Sequence, residues 1–235
     1  MMDTAGHRLA GVAGVVLALM LILAFALDFA IISTTGGDPN FRLDRIESDL
    51  VRAQGSSVWI VEAWLYALLI VPFSVFALGV YRVLRPHDAD LALVGLAATM
   101  LFWIFSTAHN AAIVTVLQVL VPRYAPGTPQ SAGIEAAARV ILGFGNTLFS
   151  PGGGVGTLLF VVGMAAIGQA TFRSLGLARW TGYLAFAAAV FSALGYLQYL
   201  AEPLFFLGII GFALYIIWVA GVALRLTRFP SRAAR

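Results

Sequence analysis

Residues 91–121 read LALVGLAATMLFWIFSTAHNAAIVTVLQVLV. The stretch holds no Asp, Glu, Lys or Arg, and its one ionisable group is His109. A helix crosses the roughly 30 Å of bilayer hydrocarbon in about 20 residues, so this run is more than long enough. Its apolar residues are continuous and do not alternate, which excludes a strand of a membrane barrel. In lipid the backbone has no water to bond, so a helix is forced.

Outward from this stretch the same reading recurs. Residues 9–33 are broken only by Asp28, and residues 58–81 only by Glu62. Residues 155–172, 180–200 and 203–224 complete the set. The first run exceeds the roughly 7–15 residues of a signal-peptide core, so it reads as a retained helix. The expected fold class is all-α integral membrane: a six-transmembrane-helix bundle with the N- and C-termini cytoplasmic, forming one membrane domain over residues 1–235. Composition agrees. Hydrophobic residues make up 61% and charged residues 11%, with a mean hydropathy of +0.94. Soluble domains average about 45–50% apolar and about 25% charged.

Two segments are amphipathic. In residues 41–54, Leu43, Ile46, Leu50 and Val51 share a face, while Asp44, Arg45, Glu47, Asp49 and Arg52 fall mostly elsewhere. This reads as a short helix on the outer interface, a lid or a collar. In residues 134–149, Ile134, Ala137, Ile141 and Phe144 form a second apolar face. The run Ser150-Pro151-Gly152-Gly153-Gly154 that follows cannot continue a helix comfortably. Either 134–149 lies in the outer interface and 155–172 spans alone, or one long helix is unwound inside the membrane.

Missing residues exclude chemistry. No Cys occurs, so disulfides, thiolate metal sites and thiol nucleophiles are ruled out. All 14 basic residues are Arg, so no lysine can form a Schiff base or serve a P-loop. Of His7, His87 and His109, only His109 sits at membrane depth, too few for a bis-histidine haem. No metal-ligand spacing appears, so neither cofactor nor metal is expected. The net charge of +3 does not point to nucleic acid, because the arginines are scattered at helix ends. An Arg-only, Ala- and Gly-rich chain fits a high-GC bacterial genome.

Ionisable groups inside membrane helices are costly and mark function by default. Asp28, Glu62 and His109 qualify, with Glu202 at the rim, and all fall in the same half of the membrane. Trp103, Ser106 and Asn110 recur at helical spacing, and Tyr66 stands one turn after Glu62. The expected ligand-binding set is therefore Asp28, Glu62, Tyr66, Trp103, Ser106, His109 and Asn110, lining an outward-facing polar cavity. No catalytic residues are assigned, because no Ser/His/Asp or metal arrangement is evident. A plainer reading pairs Glu62 with Arg139 or Arg52, makes His109 a buried hydrogen-bonding residue, and bonds Asp28 to a hydroxyl. Trp59, Tyr81, Trp180, Tyr196 and Tyr199 read as interface anchors. Gly11, Gly14, Gly95, Gly163, Gly168, Gly208 and Gly211 read as contact points, within the chain or with another chain.

Three phrases carry a resemblance. They are His7-Arg8-Leu9-Ala10-Gly11, Val80-Tyr81-Arg82-Val83-Leu84-Arg85-Pro86 with Leu91-Ala92-Leu93, and Arg173-Ser174-Leu175-Gly176-Leu177-Ala178-Arg179-Trp180-Thr181-Gly182. With Ile217-Trp218 they resemble a bacterial family of multi-pass membrane proteins catalogued as a domain of unknown function. Ala178 stands where that pattern has Pro. The resemblance implies six helices in a bacterial plasma membrane and supplies no activity. The expected function is non-enzymatic: binding or moving a small ligand or a proton. The rival reading is an accessory or assembly subunit, with a membrane-protein partner or a second copy, in the lipid bilayer.

Orientation follows from arginine placement, since cytoplasmic loops are enriched in them. With the N-terminus inside, nine of the 14 arginines are cytoplasmic, the tail from Arg225 to Arg235 included. A reporter fused after Arg235 is expected to read cytoplasmic, and one inserted in the loop carrying Arg123 to read external.

Overall fold

The computed structural model describes residues 4–36, 41–149, 154–174, 176–199 and 204–228. Among these the fold is all-α. The helices are α1 (Thr4–Thr35), α2 (Ile46–Ala53), α3 (Ser57–Leu68), α4 (Ile70–Leu84), α5 (Ala89–Thr115), α6 (Ser131–Leu148), α7 (Val155–Arg173), α8 (Arg179–Tyr196) and α9 (Phe205–Thr227). Five segments are long and apolar enough to cross a membrane: Ala5–Thr35, Ser57–Leu84, Ala89–Arg123, Val155–Arg173 and Phe206–Thr227. The α8 helix, which covers most of the expected span 180–200, is not among them. Its first turn holds Arg179, Trp180 and Thr181, which dilute its apolar character.

Proline explains two irregularities. Pro72 lacks an N–H and its ring crowds the carbonyl of Leu68, so α3 and α4 part at Leu69 within one continuous apolar segment. Pro122 acts likewise beyond α5. The chain there widens into a π-helical turn over Val116–Leu120 before a tight turn at Val121–Arg123.

The long helices close into a ring in the order α1, α9, α8, α7, α5, and α3 with α4, which returns to α1. Glycine lets their backbones approach. A Cβ at Gly11 would meet Thr227 at 2.6 Å, and one at Gly14 would meet Ala223 at 2.7 Å. Gly163 lies against Thr99, and Gly168 lies against Gly182. Gly195 lies on Gly208, while Gly211 meets Ser192. These pairings make each seam antiparallel. They also show that α8 runs the full height of the ring, from the Gly182 level to the Gly195 level. The expected contact glycines thus serve contacts within this chain.

The two ends of the ring differ. At one end Asp88 caps α5, accepting the Leu91 N–H at 3.0 Å, and pairs with Arg173 at the end of α7. The Leu91 N–H and the Arg173 guanidinium hold the Asp88 carboxyl below its ordinary range. This end has a solid core that includes Phe73, Phe76, Met164, Tyr215 and Trp218. At the other end α2 lies across the bundle. Ile46 and Leu50 are buried as expected, but Val51 is exposed and Asp49 is buried. Asp49 goes inside because it accepts the Arg42 N–H at 2.9 Å and pairs with Arg52 at 3.4 Å.

The α2 region is fastened on both sides. Phe41 has a positive φ of 52°, a strained value for a bulky residue. Its ring is buried edge-on against Trp59, with centroids 4.7 Å apart. Trp59 is therefore a core residue here and not an exposed interface anchor; Trp180 does remain exposed. Gln54 donates to the Tyr124 carbonyl, and Arg139 of α6 donates to the Leu43 carbonyl. The Tyr124 hydroxyl donates to Glu135 at 2.9 Å, and burial with this bond pushes the phenol up to about 12. Residues 131–148 form α6 as a helix separate from α7. The Pro151-Gly152-Gly153 break between them lies outside the described residues.

The seam between α5 and α7 tests the ring. A Cβ at Gly163 would sit 2.6 Å from Thr99 Cγ2 and 3.0 Å from the Thr99 backbone nitrogen. Gly163→Ala is expected to destabilise by about 1–3 kcal/mol, the usual range for overpacking. Gly133→Ala, which meets nothing within 4 Å, is expected to keep or raise the melting temperature. Thermal melts in one detergent compare the two.

Candidate functional site

The cavity sits inside the ring at the α2 end and has a volume of about 560 Å³. Residues of α1, α3, α5, α7, α8 and α9 contribute to it. Its polar wall comes from Asp28 on α1, Glu62 and Tyr66 on α3, and Asn110 on α5. Three physical facts bring these side chains together. Tyr66 Oη donates to Asp28 Oδ2 at 2.8 Å, joining α1 to α3. The Glu62 carboxylate also acts on the Tyr66 hydroxyl, one turn along the same helix. Thr107 Oγ1 donates to the Ala67 carbonyl at 3.4 Å, and that antiparallel register brings Asn110 to about the level of Glu62.

Glu62 and Asn110 are each only 4% exposed. Asn110 Nδ2 donates to the Ser106 carbonyl at 2.8 Å. Its side-chain oxygen has no partner among the described residues and is what Asn110 offers to the cavity. Among the described residues no ion pair joins Glu62 to Arg139 or Arg52; Arg139 donates to the Leu43 carbonyl and Arg52 pairs with Asp49. The hydroxyl partner expected for Asp28 is that of Tyr66.

The remaining expected residues lie apart from the cavity. Trp103 is buried in the solid core, its Nε1 donating to Tyr215 Oη at 3.3 Å. Ser106 is buried and serves Asn110 through its carbonyl. His109 is fully buried; neither ring nitrogen reaches full hydrogen-bond geometry among the described residues, although the Gly145 backbone lies against the ring. Its ring stands 5.6 Å from that of Phe149, and Phe149 is the group that faces the cavity. Helical spacing put Trp103, Ser106 and Asn110 on one stripe. The stripe crosses from the core into the cavity, so only its last member lines the space. Glu202 lies outside the described residues.

The structure adds residues that spacing did not reveal. Phe25, Phe29, Phe102, Phe160 and Phe212 give the cavity an aromatic wall, with Thr157 and Ser192 as further hydroxyls. Phenylalanine in a membrane helix carries no sequence signal for which way it faces. Arg42, Arg45 and Arg52 stand at the mouth beside Asp49. Their signal was the amphipathic run 41–54, which placed a charged cover here without showing what it covered. Ile32 and Phe206 also line the space while being more than half exposed on the bundle surface. Among the described residues, no group of three or more His, Cys, Asp or Glu could hold a metal ion.

Comparison with family models, with curated proteins and with solved structures gives no match for this chain.

A buried polar group without partners costs about 1–3 kcal/mol. His109→Leu is expected to hold or raise stability, by an amount on the order of 1 kcal/mol. It is expected to leave ligand occupancy of the cavity unchanged, because His109 does not line it. Melting temperature and bound mass read these separately.

Proposed function

We propose that this chain is a six-span protein of a bacterial plasma membrane that binds a small ligand in the cavity beneath α2. On this reading α8 is the sixth span, both termini are cytoplasmic, and α2 lies on the outer surface. The full-height course of α8 along the ring supports the sixth span. The likeness to a bacterial multi-pass family of unknown function belongs to the same reading.

The single observation that carries it is the contrast between the two halves of the ring. One half holds about 560 Å³ of space with buried carboxylate, phenol and amide groups on its wall. One space in the other half, bounded by Phe76, Thr99, Ile167 and Trp218 among others, measures only about 10 Å³. That is near the minimum for a single water. Polar side chains in a membrane protein are retained at a cost, and grouping them around empty space favours a ligand. The aromatic core packed in the opposite half supports binding over open conduction. The subunit reading needs small residues on the lipid face, whereas the glycine seams are engaged within the ring.

The test is native mass spectrometry of the protein extracted gently from its own membrane. A discrete added mass is expected. Occupancy is expected to fall by about tenfold or more in Glu62→Gln, the scale of one lost charge-assisted bond. It is also expected to fall in Ile209→Trp, which adds bulk to the cavity wall. A bare chain mass, or an added mass indifferent to both substitutions, overturns the reading.

A further inference from the structure

The cavity's phenylalanines form two groups that face each other. Phe25 on α1 and Phe212 on α9 have ring centroids 6.1 Å apart. Phe102 on α5 and Phe160 on α7 have centroids 5.0 Å apart. All four line the space. In the order of the ring, α8 separates α9 from α7, and α3 with α4 separates α5 from α1. The α1–α9 seam therefore lies across the ring from the α5–α7 seam. Tyr215 of the solid core joins the two groups, its centroid 5.1 Å from that of Phe160 and 6.3 Å from that of Phe212. The result is a slot between two aromatic walls, backed by a third ring.

The charged groups set the ligand's charge. The lining carries three carboxylates, Asp28, Asp49 and Glu62, and three guanidiniums, Arg42, Arg45 and Arg52, which sum to zero. These groups are engaged within the chain. Asp28 accepts from Tyr66, and Glu62 acts on the same phenol. Asp49 accepts the Arg42 N–H and pairs with Arg52. Arg42 and Arg45 reach Asp44, which is exposed and lies outside the lining. A charged ligand would break one of these arrangements or stay unpaired in a space of low dielectric. An uncharged ligand disturbs none of them. Asn110 differs from the charged groups. Its Nδ2 donates to the Ser106 carbonyl, which fixes the amide and leaves Oδ1 facing the cavity with no partner among the described residues. That oxygen only accepts, so the ligand must donate. Asn110 lies eight residues along α5 from Phe102, about 12 Å at 1.5 Å per residue. A body that reaches from the slot to Asn110 is longer than one benzene ring.

Resting on the ligand-binding reading above, we propose that the site takes an uncharged molecule with fused aromatic rings and one hydroxyl. The rings lie in the slot between the Phe25–Phe212 and Phe102–Phe160 pairs, and the hydroxyl donates to Asn110 Oδ1. Offset and edge-to-face ring contacts add to the burial of apolar area, and they favour an aromatic body over a saturated one of the same outline. The volume of about 560 Å³ falls within the roughly 300–1,000 Å³ of sites that enclose such molecules.

The test uses the full chain in phosphatidylcholine nanodiscs, with 2-naphthol as the probe and equilibrium dialysis as the measurement. Specific binding is the saturable part lost in Ile209→Trp, which separates the site from uptake into lipid. 2-Naphthol is expected to bind once per chain. Naphthalene, which has no hydroxyl, and decahydro-2-naphthol, which has no aromatic ring, are each expected to bind about three- to tenfold more weakly. 2-Naphthoate and 2-naphthylmethylammonium are expected to bind at least about tenfold more weakly. Asn110→Leu is expected to remove the difference between 2-naphthol and naphthalene. His109→Leu, behind Phe149, is expected to leave that difference intact, and melting temperature checks that each variant is folded. Tighter binding of either charged probe overturns the proposal, and so does equal binding of naphthalene or of decahydro-2-naphthol in the unaltered chain. If no probe binds specifically while the protein from its own membrane carries an added mass that Ile209→Trp removes, this inference fails and the binding reading stands. If that mass is also absent, both fail.

Discussion

The close approach of helices at glycine is the interaction on which the rest depends. Between apolar helices in lipid there is little hydrophobic force, so association rests on contact between backbones. Here Gly11, Gly14, Gly163, Gly168, Gly195 and Gly211 sit where a methyl group would collide with the facing helix. Those seams close six helical columns into a ring. At the Asp88 end, large aromatic side chains fill the middle of that ring. At the α2 end they do not, and the unfilled middle is the cavity.

That arrangement also explains why the polar groups are where they are. A carboxylate facing hydrocarbon is costly, and one facing a space that admits a polar group is much less so. Asp28 and Glu62 are placed on the ring's inner wall, tied together through Tyr66. The cover follows the same logic. Asp49 is buried, yet it is bonded by the Arg42 backbone and paired with Arg52, so the cover keeps its arginines at the mouth without leaving a bare charge beneath them. Phe41 accepts a strained backbone because its ring gains a buried seat on Trp59. His109 is the exception: an imidazole sealed behind Phe149, with Gly145 the close neighbour that lets α6 pass over it.

Much of the architecture was legible from the residues alone, for reasons that are local. A run such as Leu91–Val121 can only be helical in lipid. The amphipathic run 41–54 was visible by its period, although the run cannot show that Asp49 will find two partners and turn inward. Asp28, Glu62, Tyr66 and Asn110 stood out because polar groups are rare at that depth. Trp103, Ser106 and His109 stood out for the same reason, yet the structure sets them in the core and behind Phe149.

The sequence by itself therefore determined the helices, their approximate ends, and the half of the bundle that holds the ionisable groups. Composition and periodicity act residue by residue along one helix, and lipid leaves the backbone a single solution. Only the tertiary structure decided which of those groups share a space, which phenylalanines form its wall, and which arginines stand at its mouth. Those outcomes depend on the rotation of each helix about its own axis. That rotation is set by which glycines meet across the ring, a relation between distant segments that no single segment contains.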